Sequence, residues 1–125
     1  MSDLKKTEFI RGLFYEALNN IEKGDAVQSS EKLYKVAEEC VKALSEHFRL
    51  EEVKVAEERG RWTVSLLEKA VGKLTDRVGL DVRIGWDSAN YLHVWGFHET
   101  KLDVEDVKTR ISIIERLIEL TEKAC

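Results

Sequence analysis

Apolar residues recur along the chain at steps of three and four, the spacing of a helix face, and the recurrence breaks at a small number of glycines. Ile10, Leu13, Phe14, Ala17, Leu18 and Ile21 form the first such face, which predicts a helix from about Asp3 to Lys23, closed by Gly24. Asp25 stands at an N-cap position, and Ala26, Ser30, Leu33, Ala37, Cys40, Leu44 and His47 then alternate steps of four and three. Val27, Tyr34, Val41 and Phe48 widen that face, so the second helix is long and central. A two-residue Gly-Asp joint makes the two helices antiparallel neighbours.

The second half is more broken. Leu50, Val53 and Ala56 mark a short apolar segment from Leu50 to Glu58, and Gly60 separates it from a clean stripe of Val64, Leu67, Val71, Leu74 and Val78, which predicts a helix over 62–78. Between Gly79 and Gly85, Leu80, Val82 and Ile84 alternate with Asp81 and Arg83 as in a strand. A single short strand has no partner, so an extended connection is expected there. Ala89, Tyr91, Leu92 and Trp95 fit a short fourth helix from Trp86 to about Trp95, ending near Gly96. Asp103 caps the last helix, Leu102 and Val107 hold the two positions of a hydrophobic staple, and Glu105 and Asp106 occupy its first turn.

In that last helix Val107, Ile111, Ile113, Ile114, Leu117, Ile118, Leu120 and Ala124 cover an arc of roughly 200°, twice a minimal core-facing stripe. Either several helices of the same subunit enclose it, or part of it is a subunit interface; an isologous homodimer is the commonest way to bury such a surplus. The pattern as a whole predicts an all-α fold, an antiparallel bundle of about five helices in a single domain spanning residues 1–125.

With 43% apolar and 35% charged residues, 125 residues suffice to bury a core without disulfide or metal staples. Twenty Lys and Arg against 24 Asp and Glu give a net charge of -4, which argues against a general nucleic-acid coat and leaves room only for local basic patches. The only cysteines, Cys40 and Cys125, make neither a disulfide framework nor a zinc knuckle. No apolar run reaches the ~20 residues of a membrane helix, and MSDLKKTEF lacks a signal peptide's apolar core, so a soluble cytoplasmic protein is expected. Few Gln, Asn and Met among many Lys, Arg and Glu suit a thermophile.

The stretch Glu16 to Leu44, EALNNIEKGDAVQSSEKLYKVAEECVKAL, resembles the first hairpin of the HEPN superfamily, with its Gly-Asp turn and its Ala-Glu and Lys-Ala-Leu runs. Leu92 to Glu99, LHVWGFHE, and the apolar last helix are similar to archaeal PaREP-type domains within it. The resemblance implies an HEPN-like helical bundle, dimeric in much of the superfamily. Many HEPN members are ribonucleases with an Arg followed after four to six residues by a His. No Arg stands at that spacing before His47, His93 or His98, and Arg83 lies ten residues before His93, so the resemblance does not carry that activity over.

His93, His98 and Glu99 form the densest cluster of chemically capable side chains, set among Trp86, Tyr91, Trp95 and Phe97, which could stack on a base or line a pocket. On one continuous α-helix two residues five apart point about 140° from each other, which makes a poor metal site. Packing alone could also explain the group, with His93 in the core and His98-Glu99 capping a turn. Arg110 falls inside the apolar arc of the last helix and, if buried, needs a carboxylate or anion partner. Arg83, Trp86, His93, Trp95, His98, Glu99 and Arg110 are therefore the candidate ligand or partner site. No phosphate loop, nucleophile elbow or Cys-His pairing occurs, so no catalytic residues, cofactor or metal are expected. The expected function is a non-enzymatic, homodimeric interaction module that binds a protein or nucleic-acid partner. The alternatives are an HEPN-like ribonuclease using His93 or His98 with Arg83, or an accessory subunit of a nucleotidyltransferase pair.

Overall fold

A computed structural model describes residues 3–125. Helix α1 spans Asp3–Glu22 and α2 spans Ala26–His47. The Asp25 side chain accepts a hydrogen bond from Gln28 N–H (2.9 Å), and Gly24 takes the left-handed backbone conformation (φ 78°) that the tight joint requires. The two pack as the expected antiparallel hairpin.

The short segment after it is a true helix, α3 (Glu51–Arg59), closed by Gly60 in the left-handed region, and α4 (Val64–Val78) follows with Thr63 as N-cap. The stretch expected to be extended is instead the start of α5 (Asp81–Tyr91). The alternation misled because only Val82 of its three apolar residues is buried; Leu80 and Ile84 face solvent. Val82, Gly85, Trp86 and Ala89 make the buried helical face, with Gly85 set close against Leu117. Beyond Tyr91 the rod does not stop at Gly96 but widens into a π-helical segment, Leu92–His98. The last helix is two: α6 (Val104–Lys108), capped by Asp103 in a full capping box, and α7 (Ile111–Ala124), with a turn at Thr109 and Arg110 between them. Taking α5 with its π-helical extension, and α6 with α7, as single rods, the bundle has six rods rather than five. Every described element is helical.

Helix α2 is the axis. Leu33, Val36, Ala37, Cys40, Val41 and Leu44 are fully buried around more than one of its faces, and it packs against α1, α4, α5, the π-helical segment and α7. Burial in this apolar setting pushes the Cys40 thiol up to about 12. Helix α7 lies between α1, α2 and α5, with Ile114, Leu117 and Ile118 fully buried and the rest of its apolar arc at least partly covered within the subunit. The wide apolar face is thus wedged internally and does not by itself call for a subunit interface.

Ion pairs join the rods at their rims. Arg11 on α1 grips Glu122 with two nitrogens (2.9 Å each) and Glu115 with a third (3.0 Å), which raises the basicity of its guanidinium and holds Glu122 below the usual carboxylate range. Glu52 on α3 is buried, and Lys73 on α4 donates to both its oxygens at 2.9 Å. Burial pushes the Glu52 carboxyl up, but the Lys73 hydrogen bond and charge, with a further bond from backbone N–H, outweigh it and leave it lowered.

A carboxyl depressed in the folded state stabilises the fold above its unfolded pKa, and the gain is lost as pH falls through the folded value. Lys73→Ala is expected to cost about 2 kcal/mol at neutral pH, less than the 3–5 kcal/mol of a fully buried pair because Lys73 is half exposed. The deficit should shrink towards pH 4 and below as Glu52 takes up a proton; urea unfolding of both proteins across that range measures it. At Gly96 a Cβ would lie 2.0 Å from Ser30 Oγ and 2.6 Å from Ser30 Cβ. Gly96→Ala is therefore expected to destabilise by about 3 kcal/mol. Part should return in the Ser30→Gly, Gly96→Ala double variant, as read by thermal unfolding.

Candidate functional site

Residues five apart point away from each other on an α-helix, but a π-helix closes i→i+5 hydrogen bonds and stacks them. Glu99 N–H donates to Val94 O (2.8 Å) across that five-residue step, and the change of pitch brings His93 and His98 together, Nε2 to Nε2, at 3.1 Å. The rings meet edge to face with centroids 4.4 Å apart. Two residues past the end of the segment, Thr100 holds a positive φ (52°), strained for a β-branched residue.

The contact with α2 fixes this geometry. Gly96 lies directly against Ser30, and that approach sets His93 over Tyr34, stacked at 4.1 Å, with its Nδ1 3.0 Å from Glu31 Oε1. A carboxylate only accepts, so His93 donates from Nδ1 and its Nε2 carries a lone pair. His98 Nε2 faces it at 3.1 Å, and a neutral His98 with its proton on Nε2 would donate across that gap and keep Nδ1 as an acceptor. Glu31, His93 and His98 thus form a carboxylate–imidazole–imidazole array. Tyr34 is the floor: burial, then the charges of Glu38 and Glu31, push its phenol up to about 12, so it stays neutral. Phe97 flanks both imidazoles, with ring centroids 5.9 and 5.0 Å away.

The other expected site residues do not join the pair. Trp86 is fully buried, stacks near Tyr34 (5.8 Å) and donates from Nε1 to Glu68 Oε1 (2.7 Å), so it is core and cannot stack on a ligand. Arg83 is engaged by the other Glu68 oxygen (3.1 Å) and by Asp87 (3.6 Å). Arg110 is not in an apolar face. It sits at the turn before α7, donates to Asp106 O (2.9 Å), and lays its guanidinium 4.2 Å over the Tyr91 ring, a cation–π contact in place of the expected carboxylate or anion. Trp95 and Glu99 are exposed, Trp95 at 44%, alongside exposed Tyr91 and Val94.

Sequence reasoning missed Glu31 and the floor role of Tyr34. Their signal was present in the Glu-x-x-Tyr spacing at positions 31 and 34 of α2, next to the serines that let another helix approach. The five-residue spacing of the histidines, unfavourable on an α-helix, suits a π-helix.

Two solved structures are similar over nearly the whole chain. A crystal structure of a protein from Sulfolobus solfataricus superposes with a TM-score of 0.85 at 34% identity, covering 92% of this chain and 94% of that one. A solution structure of the same structural-genomics target gives a TM-score of 0.79 at 35% identity, covering 92% and 89%. No curated protein matches the chain. Among the described residues no helix is long and apolar enough to cross a membrane. Residues 5–118 match the archaeal PaREP1/PaREP8 family, and the chain belongs to that family.

Proposed function

We propose that this chain is a single-domain binding module, HEPN-like in fold, whose working surface is the π-helical segment Leu92–His98 and whose partner is a short single-stranded nucleic acid. The observation that carries the reading is the Glu31–His93–His98 array, which offers an anion a protonatable group held in fixed orientation at the surface. Trp95, exposed on the same segment, supplies an aromatic face of the kind on which an unpaired base stacks. A net charge of -4 disfavours tracking a duplex backbone, which needs many Lys and Arg, but not a ligand held by one phosphate and one or two bases. Self-association belongs to the same reading: Leu80 and Ile84 stay exposed, and Ile84 lines a shallow groove with Asp81, Ser112, Ile113 and Arg116 where a second copy could rest.

A second reading, RNA cleavage, is favoured by one feature. His98 Nδ1 could take a proton from a 2′-hydroxyl while His93 and Glu31 share the resulting charge, the logic of a carboxylate-oriented histidine base. Against it, Arg83 and Arg110 are both held elsewhere, so neither clamps a phosphate at the pair.

A fluorescein-labelled single-stranded RNA, followed by anisotropy, separates these outcomes. His98→Ala should weaken binding roughly tenfold, because it removes the imidazole at the exposed end of the array. Trp95→Ala should weaken binding by the ~1–3 kcal/mol of a base stack. Wild-type affinity in both variants would sink the binding reading. Cleavage that His93→Ala and His98→Ala leave unchanged would sink the catalytic one.

A further inference from the structure

The end of the bundle where α1 begins and α2 and α7 finish carries a second polar cluster, built from three elements far apart in sequence. Asp3 is the first residue of α1, His47 the last of α2, and Cys125 follows α7 as its cap. A carboxylate oxygen of Asp3, a ring nitrogen of His47 and the Cys125 sulfur all lie within 4.8 Å of one another. We propose that these three side chains bind one zinc ion, with water completing the coordination, and that the ion ties α1, α2 and α7 together.

The donor set is what points to zinc. A thiolate, an imidazole and a carboxylate are its three protein ligand types, whereas calcium and magnesium take oxygens almost alone. Asp and Cys together supply two negative charges, so the occupied site is neutral. Zinc bonds of about 2.0–2.3 Å place tetrahedral ligand atoms roughly 3.3–3.8 Å apart, so the cluster has to close by only about 1 Å. Asp3 and His47 are exposed, the His47 ring resting edge to face on Phe48 (4.9 Å).

Two further observations fit. None of the three side chains has a hydrogen-bond partner among the described residues, although the polar rims of the rods elsewhere are extensively paired. In addition, α2 and α7 both point their carbonyl ends, the negative ends of their dipoles, towards this spot, two against the one positive end that α1 brings there. Without an ion the Cys125 thiol is pushed up, by burial first and by Asp3 second, with Lys6 opposing. A bound divalent cation reverses that balance, and the thiol releases its proton to solvent as the metal–sulfur bond forms. Lys6 is itself paired with Glu46.

The test uses the full chain, kept reduced, titrated with Co²⁺ and with Zn²⁺. One Co²⁺ per chain should bind with a thiolate-to-metal charge-transfer band, and Zn²⁺ should displace it. Cys125→Ser should abolish the band; His47→Ala and Asp3→Asn should each weaken binding roughly tenfold or more. Cys40→Ser should keep the band, since Cys40 is fully buried, and so should His98→Ala, which removes the chain's other exposed imidazole. Zinc in hundredfold excess over its Kd should raise the Tm of the wild type by roughly 5–15 °C and leave Cys125→Ser unmoved. Circular dichroism in EDTA checks that every variant folds. Binding without a thiolate band, binding that survives all three substitutions, or no binding at millimolar metal would each overturn the proposal.

Discussion

Residue 96 has no side chain, and the arrangement of the working surface follows from that. The π-helical segment lies so close to α2 that a single added carbon would overlap Ser30. Ser30 is buried, and its hydroxyl has no hydrogen-bond partner among the described residues. An unpaired buried hydroxyl costs about 1–3 kcal/mol, and a β-branched residue with positive φ at Thr100 adds strain of similar order. The fold tolerates the first at this contact and the second four residues beyond it, and the contact leaves His93 stacked on Tyr34 and bonded to Glu31. Local departures from regular backbone gather at functional sites more often than elsewhere, which is why this contact, and not the larger core, draws the functional reading.

The core makes that contact affordable. Helix α2 is buried around much of its circumference, and α7 is enclosed by three neighbours, so most of the apolar area that stabilises the subunit comes from other elements, the π-helical segment adding Leu92 to the same core. Enclosure of α7 also changes the case for a dimer. The surplus face that suggested one is covered from within, and the large apolar side chains still exposed lie on α1 (Leu4, Phe9 and Tyr15), at Val64 on α4, and along α5 and its flanks (Leu80, Ile84, Tyr91, Val94 and Trp95).

Most of the fold was legible because most of it follows from period. The α1–α2 hairpin, α4 and the cap at Asp103 fell where apolar spacing and capping residues placed them. The failures share a cause: a pattern two or three residues long has more than one solution. Leu80, Val82 and Ile84 alternate like a strand, yet Trp86 and Ala89 extend Val82 into a helical face that buries far more area. Arg110 looked like a charge inside an apolar arc only while α6 and α7 were taken as one helix; the turn between them moves it off that face. The histidine pair was legible as a cluster and illegible as a geometry. A rule of 100° per residue separates His93 from His98, and only a wider pitch unites them. Glu31, sixty-two positions before His93, carries no local mark of its part.

On regular rods, polar side chains at fixed spacing find partners on the neighbouring rod, as Arg11, Lys73, Arg83 and Arg116 do. Groups so paired have little left to offer a ligand. Chemistry in a bundle of this kind therefore collects where regularity lapses: where pitch changes, and where several helices end together. His93 and His98 meet by the first route, and Asp3, His47 and Cys125 by the second. The two clusters differ in what they can hold. The first is backed by a carboxylate and opens through a ring nitrogen, which suits a proton and then an anion. The second has a thiol, an imidazole and a carboxylate at the negative ends of two helices, which suits a cation. Neither cluster demands anything from the core that packing has not already supplied, so either could be lost or altered without unfolding the bundle.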